Sequence, residues 1–94
     1  MKLVWTRPAL NDRRAIREYI AQRAPAAALG LDELFSEKAG QLVNHPRLGR
    51  PGRVVGTREL VVHRNYILVY DQAGDLVRVL RVLHAAQQWP PGGR

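Results

Sequence analysis

The chain of 94 residues carries fifteen Lys and Arg against eight Asp and Glu, a net charge of +7, and 46% of it is hydrophobic. That length supports one small core and no second domain. The absence of cysteine excludes a disulfide framework and a thiolate metal site, and three scattered histidines show no metal-ligand spacing.

No apolar run approaches membrane-spanning length, and the one at residues 3–5 is too short for a signal peptide. A cytoplasmic protein with no membrane partner is therefore expected. Thirteen of the fifteen cations are Arg, whose planar fork stays charged and suits phosphate and carboxylate groups. The balance points to an anionic partner, either nucleic acid or an acidic protein. A GC-rich genome explains Arg over Lys, but explains the net excess less well.

Leu3, Val4 and Trp5 read as a short strand that adds to an edge of a later sheet. Thr6 offers a helix N-cap and Pro8 suits the first turn. From 8 to about 23, Ala9, Leu10, Ile16, Tyr19 and Ile20 recur at helical spacing, with Arg13, Arg14, Arg17 and Glu18 as a basic outer face. Ala24-Pro25 ends this helix. A second is expected from 25 to about 44, with Leu31, Leu34, Phe35, Ala39, Leu42 and Val43 as its stripe. Gly30 and Gly40 inside it each cost roughly 1 kcal/mol against Ala, so each marks close packing or a bend. The short link makes the two helices an antiparallel hairpin.

Residues 44–53 hold two prolines, two glycines and three arginines, and read as a loop. Arg47, Arg50 and Arg53 on it are candidate anion-binding residues; the alternative is an ordinary solvated loop. Three runs rich in Val, Leu, Ile and Tyr follow, broken at residues 63–65 and 71–75. They predict an antiparallel three-stranded meander, since short hairpins cannot join parallel neighbours. In the last run, alternation sets Leu76, Arg78, Leu80, Val82 and His84 against Val77, Val79, Arg81 and Leu83. Both sets are largely apolar, which marks a central strand needing cover on both sides, one from the helices and the other from something else, such as a partner protein. Tyr66 and Tyr70 share a face with Leu68 and read as core. His63 in the first hairpin reads as solvated. Trp89 is expected to dock on the body, with 1–91 as a single domain and 92–94 as a disordered tail. The expected class is α+β, a strand and a two-helix hairpin packed on an antiparallel meander. Its core is expected to include Ile16, Ile20, Leu34, Phe35, Leu42, Leu68 and Val82.

This order, with Gly56-Thr57-Arg58-Glu59-Leu60, then Asn65-Tyr66-Ile67-Leu68-Val69-Tyr70, then Arg81-Val82-Leu83-His84, resembles the RelE/ParE superfamily of bacterial type II toxins. The resemblance runs from Val4-Trp5 to Gln88-Trp89-Pro90. It implies growth arrest and neutralisation by a cognate acidic antitoxin. It also implies one of two actions: metal-independent cleavage of messenger RNA on the ribosome, or inhibition of DNA gyrase by binding.

Cleavage needs a base for the 2′-hydroxyl, cations for the phosphorane and an acid for the leaving oxygen. On the RelE pattern Arg58 falls at a basic position, while Leu60 and Ile67 stand where further cations are expected. His84 is a competent acid–base group at the third strand's end, and Arg81 a possible helper. The catalytic candidates for a nuclease are therefore Arg58, Arg81 and His84. The plainer alternatives are ion pairing of Arg58 with Glu59 or another acid across the sheet, cross-strand pairing for Arg78 and Arg81, and a structural hydrogen bond for His84. The depleted set favours the ParE-like, non-enzymatic action with no cofactor. A nucleic-acid-binding module without toxicity is a third reading, supported by charge alone.

Overall fold

The computed structural model describes residues 1–91; the tail expected at 92–94 lies outside them. The elements are β1 (Lys2–Trp5), α1 (Arg7–Ala21), α2 (Pro25–Asn44), β2 (Arg50–Pro51), β3 (Arg58–His63), β4 (Tyr66–Ala73) and β5 (Leu76–His84). They form one sheet in the order β1-β5-β4-β3-β2. The meander β3-β4-β5 is antiparallel throughout, and β1 closes the far edge by running parallel to β5.

Local chemistry sets these boundaries. The Thr6 hydroxyl accepts from the Ala9 N–H at 3.3 Å and donates to the Leu80 carbonyl at 3.0 Å, so one side chain caps α1 and ties it to β5. Ala24, before Pro25, sits at φ −148°, outside the helical region, as a residue preceding proline prefers. Gly74, with φ +61°, supplies the left-handed turn between β4 and β5. Asp71 and Gln72, expected in that turn, belong instead to β4, because Asp71 pairs with Arg78 on β5 at 2.6 Å.

The hairpin of helices packs on one face of the sheet. Ala9, Phe35, Ala39, Leu68, Val79 and Val82 are buried together, with Ile16 and Leu34 packed against them, and Leu42 joins Tyr70 and Val77 in a second cluster. Ile20 is half-buried. The α1 stripe is narrower than the spacing suggested, for Leu10 is 47% and Tyr19 63% exposed. Each is offset by one residue, about 100°, from the line through Ala9, Ile16 and Ile20. Arg13 leaves the expected outer face. Its guanidinium bonds Asp32 and the Ser36 hydroxyl on α2 and lies 4.4 Å above the Trp5 ring. Gly30 and Gly40 mark no close packing, since a Cβ at either would meet nothing within 4 Å.

Two bulges overturn simple alternation. Tyr70 pairs with Val79 while Val69 pairs with Arg81, so Leu80 is an extra residue and Val82 returns to the helix-facing side with Val77 and Val79. A second irregularity, between Val61 and His63, sets His63 opposite Tyr66, while Val62 stays on the helix-facing side with Leu60. On the other face Ile67, Val69 and Leu83 are 4%, 0% and 2% exposed in the isolated chain. The chain covers these residues itself, and no partner is needed to bury them. Within the expected loop, Arg50–Pro51 pairs with β3 as an edge strand, where a proline's missing N–H is harmless.

Candidate functional site

The sheet presents three groups of candidate side chains. At the end of β5, His84 lies opposite Tyr66, their ring centroids 5.4 Å apart and nearly perpendicular. His84 is exposed, and its Nδ1 accepts from the Ala86 N–H at 3.1 Å. With Nδ1 an acceptor, the neutral ring carries its proton on Nε2 and offers a donor, not a free base, to the outside. A groove of about 550 Å³ opens beside it, with Asp12, Ile16, Tyr19, Asn65 and Tyr66 among its walls. Burial, and to a lesser extent the neighbouring Tyr19 phenol, pushes the Tyr66 hydroxyl above its ordinary range.

Arg81 stands next, opposite Val69. Its Nε and Nη2 reach the two oxygens of Asp12 at 2.7 and 3.0 Å, and the same carboxylate accepts the Val82 N–H at 2.9 Å. That hydrogen-bonded partner holds the guanidinium protonated still more firmly than usual. Trp89 docks as expected, its ring centroid 5.4 Å from the Arg81 guanidinium carbon.

The third group gathers at the other end of β4. Arg58 is opposite Tyr70, and its Nη1 donates to the Gly49 carbonyl at 2.7 Å. The Tyr70 hydroxyl donates to the Pro46 carbonyl and accepts from the Gly49 N–H, both at 2.8 Å. Glycine is required at 49, because a Cβ would stand 2.8 Å from the Tyr70 ring and 2.9 Å from the Glu59 carbonyl oxygen. On the opposite face Glu59, only 3% exposed, accepts the Arg53 backbone N–H at 2.9 Å. The Arg50 and Arg53 guanidiniums each lie 3.5 Å from its carboxylate. A buried carboxylate needs such partners to stay charged.

The predicted residues thus fall into separate places. Arg58 and His84 pair with residues four apart on β4, roughly 13 Å along the strand. Arg81 is tied to Asp12 and Arg58 to a backbone carbonyl, and neither converges on His84 among the described contacts. Of the expected loop cations, Arg50 and Arg53 share Glu59, whereas Arg47 is exposed with no ion-pair partner among the described residues. The organising acids Asp12 and Asp32 were not singled out from the sequence, and Glu59, expected there as a partner of Arg58, holds Arg50 and Arg53 instead. Asp12 stands beside Arg13 and Arg14 and Glu59 beside Arg58, but nothing in the sequence around Asp32 marks it. Among the described residues, no His, Asp or Glu cluster could hold a metal ion, and no helix is long and apolar enough to cross a membrane.

Comparisons with known proteins converge on one family. Residues 3–89 match the sequence model of the ParE toxin of the type II toxin–antitoxin system parDE. The chain is 40% identical over 86 residues to Toxin RelE2 of Caulobacter vibrioides, covering 92% of this chain and 97% of that one. It is 39% identical to Putative toxin Y4kP of Sinorhizobium fredii, covering 95% and 93%. Among solved structures, the chromosomal ParDE system from P. aeruginosa superimposes with a TM-score of 0.81 at 30% identity, covering 89% of this chain and 95% of that chain. The match spans the whole meander and helical hairpin, and the chain belongs to the ParE toxin family, as the toxin of a type II toxin–antitoxin system.

Proposed function

We propose that this toxin arrests growth by binding an essential target, with DNA gyrase the leading choice, and that a cognate antitoxin neutralises it. One observation carries the first half of this reading. The groups that would cut RNA sit apart on β3 and β5, Arg58 opposite Tyr70 and His84 opposite Tyr66, and are already committed to intramolecular partners. Leu60 and Ile67 bring no charge to a phosphorane, and each missing stabiliser costs on the order of a hundredfold in rate. A binding role needs no such convergence. For the antitoxin, the support is the net charge of +7 and the similarity to toxins of paired systems. One of these, 26% identical with a TM-score of 0.56 and covering 88% of this chain and 95% of that chain, is the toxin–antitoxin complex RelBE2 of Mycobacterium tuberculosis.

The relatives' names include both RelE and ParE and do not choose the target. The test is induction of the toxin, with messenger-RNA ends mapped in parallel with a gyrase supercoiling assay. Blocked supercoiling with intact messages is expected. New 5′ ends at ribosome-occupied codons that vanish in Arg58→Ala and His84→Ala would instead assign the RelE-like cleavage.

A further inference from the structure

Between β2 and β3 the chain makes a loop that is basic, fastened at its base and tipped by an apolar side chain. Residues 44–58 hold four arginines and no Asp, Glu, Phe, Trp or Tyr. The Gly52 N–H donates to the Thr57 carbonyl at 2.8 Å, and the Thr57 N–H and hydroxyl both donate to the Val54 carbonyl, at 3.1 and 2.7 Å. Gly56 has φ +87°, so residues 54–57 form a type II turn with glycine at the corner that demands it. Below the turn, β2 pairs with β3 and the Arg53 N–H is held by the buried Glu59 carboxylate.

Val55 stands at the first corner of this turn and is 99% exposed. That corner accepts most residues and favours proline, so the turn has no need of a valine, and at that exposure the side chain adds nothing to the core. A lone exposed apolar side chain is ordinary on a surface. This one is held on a pinned turn and flanked by cations. Arg50 reaches Glu59 through Nη2 and Arg53 through Nε, their side chains 60% and 40% exposed. Two cations share one carboxylate, and each fork keeps further N–H donors for an acceptor outside the chain.

We infer, resting on the proposal that this toxin arrests growth by binding, that residues 52–57 are the knob that engages the target, with Val55 entering a small apolar pocket bordered by carboxylates on a folded protein. Shape selects the occupant. A convex, preformed turn needs a cavity already present in its partner, and its rigidity lowers the ordering cost of binding. A nucleic acid fits less well, since a valine gains nothing from a phosphate backbone and the loop has no aromatic ring to stack a base. A flexible antitoxin segment that folds as it binds suits a groove or a sheet edge, not a knob.

The experiment uses the full-length toxin, followed by growth after induction, by inhibition of purified DNA gyrase, and by complex formation with the protein encoded in the adjacent reading frame. Val55→Asp is expected to keep the unfolding midpoint, because the native side chain packs on nothing. It should raise the toxin concentration that half-inhibits supercoiling by about a hundredfold, adding repulsion from the pocket's carboxylates to the lost apolar burial. Val55→Ser, which is neutral, should raise it about tenfold, and Val55→Ile, which keeps the knob apolar, by no more than about threefold. All three variants should bind the neighbouring product as the wild type does. If the wild type blocks supercoiling and Val55→Asp blocks it equally well, the knob assignment fails while the target reading stands. If the wild type leaves gyrase untouched but Val55→Asp abolishes growth arrest and keeps the antitoxin, the knob stands and the choice of gyrase fails. If gyrase is untouched and Val55→Asp still arrests growth, both fail. If Val55→Ser matches the wild type and only Val55→Asp is weak, the loop reads charge alone, as on a nucleic acid, and the inference is overturned. Loss of the antitoxin by Val55→Asp overturns it too, by making the antitoxin the occupant.

Discussion

Asp12 and Arg81, separated by 69 residues in sequence, join the first helix to the central strand through two hydrogen bonds of 2.7 and 3.0 Å. The bond lies where β1 has ended at Trp5 and β5 loses its neighbour. Asp12 also accepts the Val82 N–H, which would otherwise face an open edge. The carboxylate thus acts as a substitute strand over one residue.

That geometry predicts an asymmetry at the pair. Asp12→Ala leaves both the guanidinium and the Val82 N–H without their acceptor, and should cost about 2 kcal/mol of stability. Arg81→Ala leaves Asp12 its backbone donor, and with the pair 25% and 17% exposed should cost nearer 1 kcal/mol. Urea denaturation of the two variants measures the difference. Equal losses would show that the backbone bond contributes nothing.

Glu59 predicts the reverse kind of asymmetry. Arg50→Ala with Arg53→Ala leaves a carboxylate that is 3% exposed with only a backbone donor, and should cost roughly 3 kcal/mol. Glu59→Gln frees two arginines whose side chains are 60% and 40% exposed and simply rehydrate, so about 1 kcal/mol is expected. Thermal unfolding of the two variants at one pH checks the order.

Tyr66 and Tyr70 predict a dependence of stability on alkaline pH. Burial is the leading cause that raises Tyr66 and Tyr70 above the ordinary value of 10.0, and for Tyr70 the Gly49 contact and Arg58 oppose it. A proton held more tightly in the folded state gives stability that is fully present below pH 10 and lost as pH rises beyond it. Stability should therefore be flat on this account up to about pH 10 and fall above it. Tyr70→Phe should lessen the alkaline fall. At neutral pH it should cost about 2 kcal/mol, because the Gly49 N–H loses its partner. Unfolding midpoints followed from pH 7 to 11 read out both effects.

The elements themselves were legible in the chain. Thr6 and Pro8 announced α1, Ala24-Pro25 divided the helices, and the Val- and Tyr-rich runs gave the meander. Side-chain direction was less legible wherever the backbone departs from regularity. The extra residue at Leu80 moves Val82 to the other face, and alternation cannot reveal a bulge when both faces are apolar. Arg13 looked like surface because its partner Asp32 lies on another helix. Asp12 and Asp32 escaped notice for the same reason, since each acquires its role only through arginines brought to it by folding. Composition showed Arg50 and Arg53 as loop cations, and only pairing with β3 places Glu59 between them.

The order of the strands also bears on how the protein is made. β5, which lies between β1 and β4, is synthesised after the other four described strands. Until it emerges, Lys2–Trp5 has no strand to pair with, and the apolar face of the helices has only part of its sheet. A nascent chain stopped anywhere before Leu76 holds two unjoined pieces with exposed edges. Chains released before β5 should be caught by proteolysis or aggregate, and a cell should meet a folded toxin only once β5 has been made.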